Sequence, residues 1–455
     1  MPPSTRSVAA SLRGFALRGR RYGPDSEQLV AAALERDHWS AERWQQWQAE
    51  RLAYVLHRAA TRVPYYRDLW AQRRRQGDRA AWDVLANWPI LGKEALRRNP
   101  QSFVADDCEL RCLYRDSTSG TTGTPLVIYL ARTTIQQWYA IVEARIRRWH
   151  GVSRNEHWAI MGGQVVVPFQ QQRPPFWVYN AALHQLYLST HHLSPQHIAA
   201  YAEALRRYAP THMIVYPSAA ALLASEMLRQ HVALPQLRVV LSNAEQLFDQ
   251  QRERIGAAFQ CPVRDTYGMG EIAVGASECA HGTLHLWPDT GKLEVLAAVT
   301  DTVAPPGTTG RFIATGLLNA AMPLIRYEVG DRGQLAPTTT CACGRTLPVI
   351  ERIEGRINDL ILTPDGRKVF WLNPAFYGLP IREAQIIQET TEQLRVLIVS
   401  EPAYTDVHGR LIKERLADRL GPMSIRLELV DQIPRGTNGK FRAIISRLTH
   451  KEVQP

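Results

Sequence analysis

The chain is poor in the features that would take it out of the ordinary globular class. No stretch approaches the roughly 18 uninterrupted apolar residues that a membrane-spanning helix needs, so no transmembrane segment is expected. Six cysteines in 455 residues are too few and too unevenly placed for a disulfide scaffold. The first residues hold no secretory hydrophobic segment, because Arg13, Arg18, Arg20 and Arg21 interrupt the apolar stretches. Together these absences predict a cytoplasmic protein kept in a reducing environment. Internal repeats and long low-complexity tracts are also lacking, which excludes a repeat array.

What is present starts with charge. The formal net charge of +11 suits a negative partner such as nucleotide, CoA, nucleic acid or anionic lipid. Apart from the N-terminal arginines and Arg73-Arg74-Arg75, the basic residues are spread along the chain. There is no aromatic–basic module of a nucleic-acid binder, so nucleic acid is not an expected partner. Val8, Leu12 and Phe15 fall at helical spacing beside the arginines, the pattern of a basic surface helix. Such a segment more often frays or packs on its own domain, and that reading is preferred.

The length exceeds what one core usually supports, so two or more domains are expected. Residues 1–100 look helical and rich in Arg, Trp and Ala. From about 110, short β-rich runs alternate with amphipathic helices: a helix over Gln196–Tyr208, a strand at His212–Tyr216, a helix capped by Ser218, a strand at Leu237–Leu241 and a helix at Phe248–Phe259. This alternation predicts an α/β fold with a helix-covered, mostly parallel sheet. Lys292-Leu293-Glu294-Val295 and Gly310-Arg311-Phe312-Ile313 suggest a smaller antiparallel β unit. A terminal α+β domain follows, with a strand at Leu394–Val399, a helix at Leu411–Leu420 and a strand at Ile425–Val430. The boundary is placed so that residues 1–357 form the large domain and 358–455 the small one.

The run Ser117-Thr118-Ser119-Gly120-Thr121-Thr122-Gly123-Thr124-Pro125 has nothing to bury. Glycine lets backbone N–H groups approach a polyanion closely, and the hydroxyls add donors. It is not a Walker A loop, which ends in Gly-Lys-Ser/Thr. Five further segments follow in order: Asn243-Ala244-Glu245, Tyr267-Gly268-Met269-Gly270-Glu271, Arg326-Tyr327-Glu328-Val329-Gly330-Asp331, Glu354-Gly355-Arg356-Ile357-Asn358-Asp359, and Pro434-Arg435-Gly436-Thr437-Asn438-Gly439-Lys440.

Any one of these is weak, but six in this order resemble the adenylate-forming enzymes (acyl-CoA synthetases, adenylation domains and luciferases) over residues 114–442. Val63-Pro64-Tyr65-Tyr66, Tyr216-Pro217-Ser218 and Cys341-Ala342-Cys343-Gly344 are most similar to the phenylacetate–CoA ligase branch and its CapK-like relatives. The resemblance implies an enzyme: an AMP-forming acid ligase that uses ATP and Mg²⁺ to activate a carboxylic acid, with pyrophosphate released. It implies that Ser117, Thr118, Ser119, Gly120, Thr121, Thr122 and Gly123 hold phosphates, with Thr121 counted among the catalytic residues. Glu271 would ligate Mg²⁺, and Tyr267 with Gly268 would cover adenine. Asn243, Ala244 and Glu245 would read the adenine edge, Asp331 would bind ribose, Arg356 would contact the nucleotide, and catalytic Lys440 would bridge carboxylate and α-phosphate.

The same resemblance, joined to the C-x-C knuckle, implies a structural Zn²⁺ on Cys279, His285, Cys341 and Cys343, with His281 in reserve. The plain alternative is a set of reduced, buried cysteines. Cys108 and Cys112, one helical turn apart, read as packing residues.

Two departures qualify the expectation. Asn358 stands where the hinge residue is usually Asp. After it, Leu362–Leu372 lacks the Arg-Gly turn that helps CoA-using relatives form their tunnel. The resemblance still makes CoA the expected acceptor, while these departures keep an amine, a sugar hydroxyl or a carrier-protein thiol as alternatives, with a non-catalytic nucleotide-binding scaffold last. The acid pocket is expected from Trp158–Tyr179, Tyr216–Glu226 and the neighbourhood of Asn243 and Met269. Trp158, Phe169, Phe176, Trp177 and Tyr179 fit either an aromatic or apolar acid or, as the plain alternative, the core. A homodimer is the default oligomer.

Overall fold

A computed structural model describes residues 5–117, 126–233, 235–297, 300–356, 360–369, 372–436 and 439–448. The chain opens with α1 (Thr5–Arg21), α2 (Ser26–Arg36), α3 (Ala41–Arg62), α4 (Pro64–Arg75) and α5 (Lys93–Arg98). Ser40 caps α3 by accepting from the Arg43 amide at 3.2 Å. Pro64 opens α4, where its missing N–H is no loss. Among the described residues, no helix is long and apolar enough to cross a membrane.

Helix α1 packs on the rest of the molecule, but not through the apolar side chains at Val8, Leu12 and Phe15. Val8, Leu12 and Phe15 remain 46%, 67% and 61% exposed, whereas Ser7 and Gly14 are buried. A Cβ on Gly14 would lie 2.1 Å from Asn180 Oδ1, so the glycine is what allows this close approach.

An antiparallel hairpin of β1 (Tyr114–Ser117) and β2 (Val127–Leu130) follows, and Thr118–Pro125 between them lie outside the described residues. Helix α6 (Arg132–Val142) runs on into a π turn at Glu143–Arg147. Then come β3 (Trp158–Gly162), β4 (Trp177–Asn180), β5 (Gln185–Ser189), α7 (Ile198–Tyr208), β6 (His212–Val215), α8 (Pro217–Arg229), β7 (Val239–Ser242), α9 (Asp249–Phe259) and β8 (Val263–Arg264). Their sheet has the order β4-β5-β3-β6-β7-β8, parallel except for the antiparallel edge strand β4. Alternation along the strands sorts the two faces. Ala159, Met161, Leu186, Leu188, Met213 and Val215 fill a core under α7, α8 and α9.

Ser218 does not cap α8. Pro217 occupies the first helical turn and Tyr216 the cap position, leaving the Ser218 amide to donate elsewhere.

Next are β9 (Thr266–Gly268), β10 (Gly275–Glu278) and β11 (Leu284–Leu286), a small antiparallel sheet. An antiparallel meander of β12 (Gly291–Leu296), β13 (Gly310–Gly316), β14 (Tyr327–Leu335) and β15 (Ile350–Arg356) matches the expected β unit. Its inner face shares one core with α3, α4 and the 88–105 segment, through Tyr66, Trp88, Phe103, Phe312 and Tyr327. Beneath it, buried Arg145 of the π turn donates to Asp37 at 2.8 Å and to both oxygens of Asp289 at 2.6 and 3.1 Å.

The last part contains β16 (Ile361–Leu362), β17 (Lys368–Val369), β18 (Ile381–Gln388), β19 (Gln393–Ser400), α10 (Asp406–Leu420), β20 (Ser424–Leu429) and β21 (Ile444–Ser446). Its main sheet runs β20-β19-β18-β21 and has a separate core around Ile386, Val396, Ile398, Ile412 and Leu416. The sequence pattern misses β18. Arg382 and Glu383 break its apolar run, and both are satisfied by distant partners, Glu226 and Arg435. Cys108 and Cys112 are not on an α-helix; Cys112 is exposed, and Cys108 packs partly against the large core.

Candidate active site

The segments that carry chemistry converge where the strands of the parallel sheet end. Asn243 and Ala244 follow β7 and meet the β9 turn from Tyr267 to Glu271. Asp331 on β14 and Arg356 at the end of β15 pair in register across that sheet. Lys440 arrives on the connection from β20 to β21. All of these line one cavity of about 1910 Å³, as do Ser117 and Leu126, which flank the undescribed Thr118–Pro125. Ordinary single-ligand sites occupy ~300–1,000 Å³, so this one has room for two reactants. The ends of parallel strands are the usual place for such a crevice.

Hydrogen bonds fix the acidic groups. Tyr267 Oη donates to Asp331 Oδ2 at 2.8 Å, and Arg356 Nε stands 3.9 Å from Asp331 Oδ1. Tyr327 Oη donates to Glu271 Oε1 at 2.8 Å, which orients that carboxylate at the cavity wall. Burial, with Asp331 adding to it, holds the Tyr267 phenol well above its ordinary value, so it stays a donor. Burial and the nearby Arg356 push the Lys440 ammonium down, while Glu245, Asp331 and Glu271 act in the opposite sense.

The backbone is strained on both sides of this cluster. Ala244 and the β-branched Ile272 have left-handed φ values of 67° and 55°, a conformation that costs on the order of 1–3 kcal/mol per residue. Such strain persists only where the surroundings over-determine it.

Glu245 does not line the cavity. Its Oε1 accepts from the Phe441 amide at 2.6 Å and its Oε2 from the Ser218 amide at 3.1 Å. It therefore ties the residue beside Lys440 to the start of α8. Burial raises its carboxyl pKa against the pull of those two amides. Of the five aromatics expected in an acid pocket, Trp158 lines the cavity. Phe176, Trp177 and Tyr179 belong with the core on the opposite face, and Phe169 is exposed. Tyr22, Tyr114, Trp138, Tyr139, Tyr187 and Trp287 add to the aromatic wall, and none of α8 contributes.

Among the cationic residues of this cavity without a signal in the sequence are Lys93 and Arg147. Lys93 opens α5 and donates to Val329 O at 2.7 Å, and its Nζ lies 3.0 Å from where a Cβ on Gly330 would stand. Burial lowers its pKa, with Glu271 and Asp331 opposing. Arg147, only 4% exposed, is turned inward by the π turn. Lone basic residues in helical segments gave no signal.

The four thiol and imidazole candidates meet at a second place. Their ligand atoms lie within 4.8 Å of one another, with Cys279 Sγ 3.7 Å from Cys341 Sγ and Cys343 Sγ 3.3 Å from His285 Nε2. Two sulfurs on a tetrahedral zinc stand about 3.8 Å apart. The β10–β11 hairpin presents Cys279 and His285. Gly344, at a φ of 73°, turns the chain so that its amide reaches Cys341 O at 3.1 Å. His285 Nδ1 lies 3.4 Å from Leu347 O, which leaves Nε2 facing the thiols. His281, the reserve ligand, is exposed and outside the cluster.

A family model described as AMP-binding enzyme matches residues 45–316, more than half of the chain. The chain belongs to the AMP-binding enzyme family. A second model, the CapK C-terminal domain, matches residues 361–447. As a member of this family it is an AMP-forming acid ligase of the CapK and phenylacetate–CoA ligase branch. Protein CapK of Staphylococcus aureus is 26% identical over 391 residues, covering 84% of this chain and 85% of that protein. Phenylacetate-coenzyme A ligase of Pseudomonas putida is 28% identical over 337 residues, covering 71% and 73%. Among solved structures, 2-hydroxyisobutyryl-CoA ligase in its postadenylation state matches with a TM-score of 0.69 at 21% identity, over 92% of both chains. The same ligase in its thioesterification state gives 0.56, over 90% of this chain and 91% of that one.

Proposed function

We propose that this AMP-binding enzyme joins a carboxylic acid to ATP, forming an acyl-adenylate and pyrophosphate, and then transfers the acyl group to CoA. The observation that carries this reading is that Lys440, from the part matched by the CapK C-terminal domain, lines the same cavity as Glu271, Asp331 and Arg356. In the first step a carboxylate oxygen bonds to the α-phosphorus of ATP while the bond to the β-phosphate oxygen breaks, and pyrophosphate leaves. An anion must approach a polyanion, so the protein has to supply positive charge and donors.

Lys440 would bridge the carboxylate and the α-phosphate, and Arg356 and Lys93, which line the same cavity, would add charge beside it. Asp331 would accept from the ribose hydroxyls, with Tyr267 holding its second oxygen. Tyr267 and Gly268 would lie against adenine, and Asn243 and Ala244 at its edge. The Ser117–Gly123 run, including Thr121, is assigned to the β- and γ-phosphates because Ser117 and Leu126, on either side of Thr118–Pro125, line the cavity. Glu271, oriented by Tyr327, fits a Mg²⁺ ligand, and bound Mg²⁺ would neutralise phosphate charge. Cys279, His285, Cys341 and Cys343 fit a structural Zn²⁺ that leaves no position open for catalysis.

In the second step the CoA sulfur bonds to the acyl carbon and AMP leaves. Support for CoA comes from the relatives named as CoA ligases. We place the unit that moves between the steps at 358–455, against a large unit at 1–357. The match to the postadenylation state over the thioesterification state agrees with Lys440 being in the cavity.

The test is acid-dependent exchange of labelled pyrophosphate into ATP across a broad acid panel, repeated with CoA. The expected result is exchange with a subset of acids, lost in Lys440→Ala, and AMP release accelerated by CoA. If amines or sugars, not CoA, accelerate AMP release, the acceptor assignment fails. If no acid supports exchange while ATP binds, the activation step fails.

A further inference from the structure

The cavity continues far beyond the residues assigned to the nucleotide. From β7 its floor crosses β6, β3 and β5 to β4, four steps of ~4.8 Å or about 19 Å in all. Ile214, Trp158, Ile160, Tyr187, Gln185 and Asn180 form this floor, on the face opposite the core under α7 and α8. Helix α1 runs along this half, from β4 at the far end back to Tyr139 of α6. Its Arg6, Ala9, Ala10, Arg13, Leu17 and Arg21 recur at helical spacing and all line the cavity. The alanines leave space, and the arginines bracket it.

The charge of this half is one-sided. Among the described residues it is lined by Arg6, Arg13, Arg21 and Arg147, and by no Asp or Glu. Arg147 is at the floor, 4.7 Å over the Trp158 ring, donating from Nε to His212 Nε2 at 3.2 Å. Its carboxylate neighbour, Glu143, is 3.6 Å away and also accepts from Arg148. Arg21 lies 4.5 Å over the Tyr139 ring, Arg6 donates to Gln171, and Arg13 has no carboxylate partner among the described residues. The acids of the cavity, Glu94, Glu271, Glu328 and Asp331, are all in the other half, together with Lys93, Arg97, Arg98, Arg356 and Lys440. The nucleotide's charge is therefore met without the α1 arginines. An apolar acid seated against them would strip water from guanidinium groups and offer nothing in exchange. A carboxylate or phosphate would instead meet them with paired, charge-assisted hydrogen bonds.

We infer that the acid activated by this enzyme carries a second anionic group, a carboxylate or a phosphate, at the end remote from the carboxylate that is adenylated, and that Arg147, Arg21 and Arg13 bind it. The inference rests on the acid-activating function proposed above.

The test measures pyrophosphate exchange with matched acids: phenylacetate, 4-carboxyphenylacetate and 4-phosphonooxyphenylacetate, and hexanoate with adipate. The anionic-tailed acids are expected to exceed their neutral counterparts in kcat/KM by about tenfold or more, from the strength of a hydrogen bond to a charged group. Arg21→Gln and Arg13→Gln should each lower that ratio about tenfold, mainly through KM, and the ring acids separate carboxylate from phosphate preference. Arg147→Lys keeps the buried charge and should retain part of the preference if Arg147→Gln does not fold. Neutral acids preferred or equal, or a ratio untouched by the arginine variants, would overturn the inference while leaving acid activation in place. If no acid exchanges, binding of adipate and 4-phosphonooxyphenylacetate, read by tryptophan fluorescence, still decides. Saturable quenching lost in Arg21→Gln supports the anion site, and its absence in the unaltered protein refutes it.

Discussion

Lys440 and Glu245 work as a pair at the scale of single residues. In the proposed adenylation step the ammonium must be charged to bridge two anions, and burial makes that charge easier to lose. The proton is therefore shed as pH rises through a value below the ordinary 10.5. The profile of kcat/KM against pH should show an alkaline limb falling earlier than an unperturbed lysine would give. A limb at the ordinary lysine value would mean that the burial seen here is absent in solution. Glu245 holds the chain beside Lys440 through two amides, one on each oxygen. Gln at this position keeps a single acceptor oxygen. Glu245→Gln should slow adenylation about tenfold, the scale of one hydrogen bond to a charged group, with the ATP dissociation constant unchanged. A weakened ATP affinity at constant rate would instead return Glu245 to the adenine edge, where the family resemblance put it.

Between elements, the buried Arg145 network joins the end of α2, the π turn and the approach to β12. Arg145 is fully buried, with Asp37 and Asp289 as its partners, so removing one carboxylate strands a charge. Asp289→Ala should cost about 3–5 kcal/mol, measured by denaturant unfolding; a loss near zero would show that the network relaxes or hydrates. None of this was visible in the sequence, because Asp37, Arg145 and Asp289 are far apart in the chain and carry no motif. What could be read was local. Tyr267, Asp331, Arg356 and Lys440 each sit in a short glycine-flanked segment, and α7, β6 and α9 follow clean periodicities. The parallel sheet and the antiparallel meander were expected from those patterns and are present. Strand β18 was hidden by its own charges, and the start of α8 was misread because Pro217 displaces Ser218 from the cap. The α1 stripe escaped notice because Val8, Leu12 and Phe15 drew attention to the face that turns out to be exposed.

For the whole molecule, two assemblies of distant residues set the terms: the thiol–imidazole cluster and the cavity. The cluster pins the β10–β11 hairpin to the loop at 341–344, and a metal there would add stability only to the folded chain. Purified protein is expected to hold one zinc per chain by elemental analysis, and Cys343→Ser to lose it with a lower Tm. Metal-free protein of unchanged Tm would leave the four residues as packed thiols. The cavity is lined by residues of the part matched by the AMP-binding model and of the part matched by the CapK C-terminal model, and the proposed chemistry needs both. The most direct measurement of that claim is pyrophosphate–ATP exchange in the unaltered enzyme and in Lys440→Ala, with ATP binding measured alongside. Acid-dependent exchange is expected to fall by ~10²-fold or more when the lysine is removed, while ATP still binds. Exchange of equal rate in both proteins, or ATP binding with no acid-dependent exchange in the unaltered enzyme, would contradict that claim.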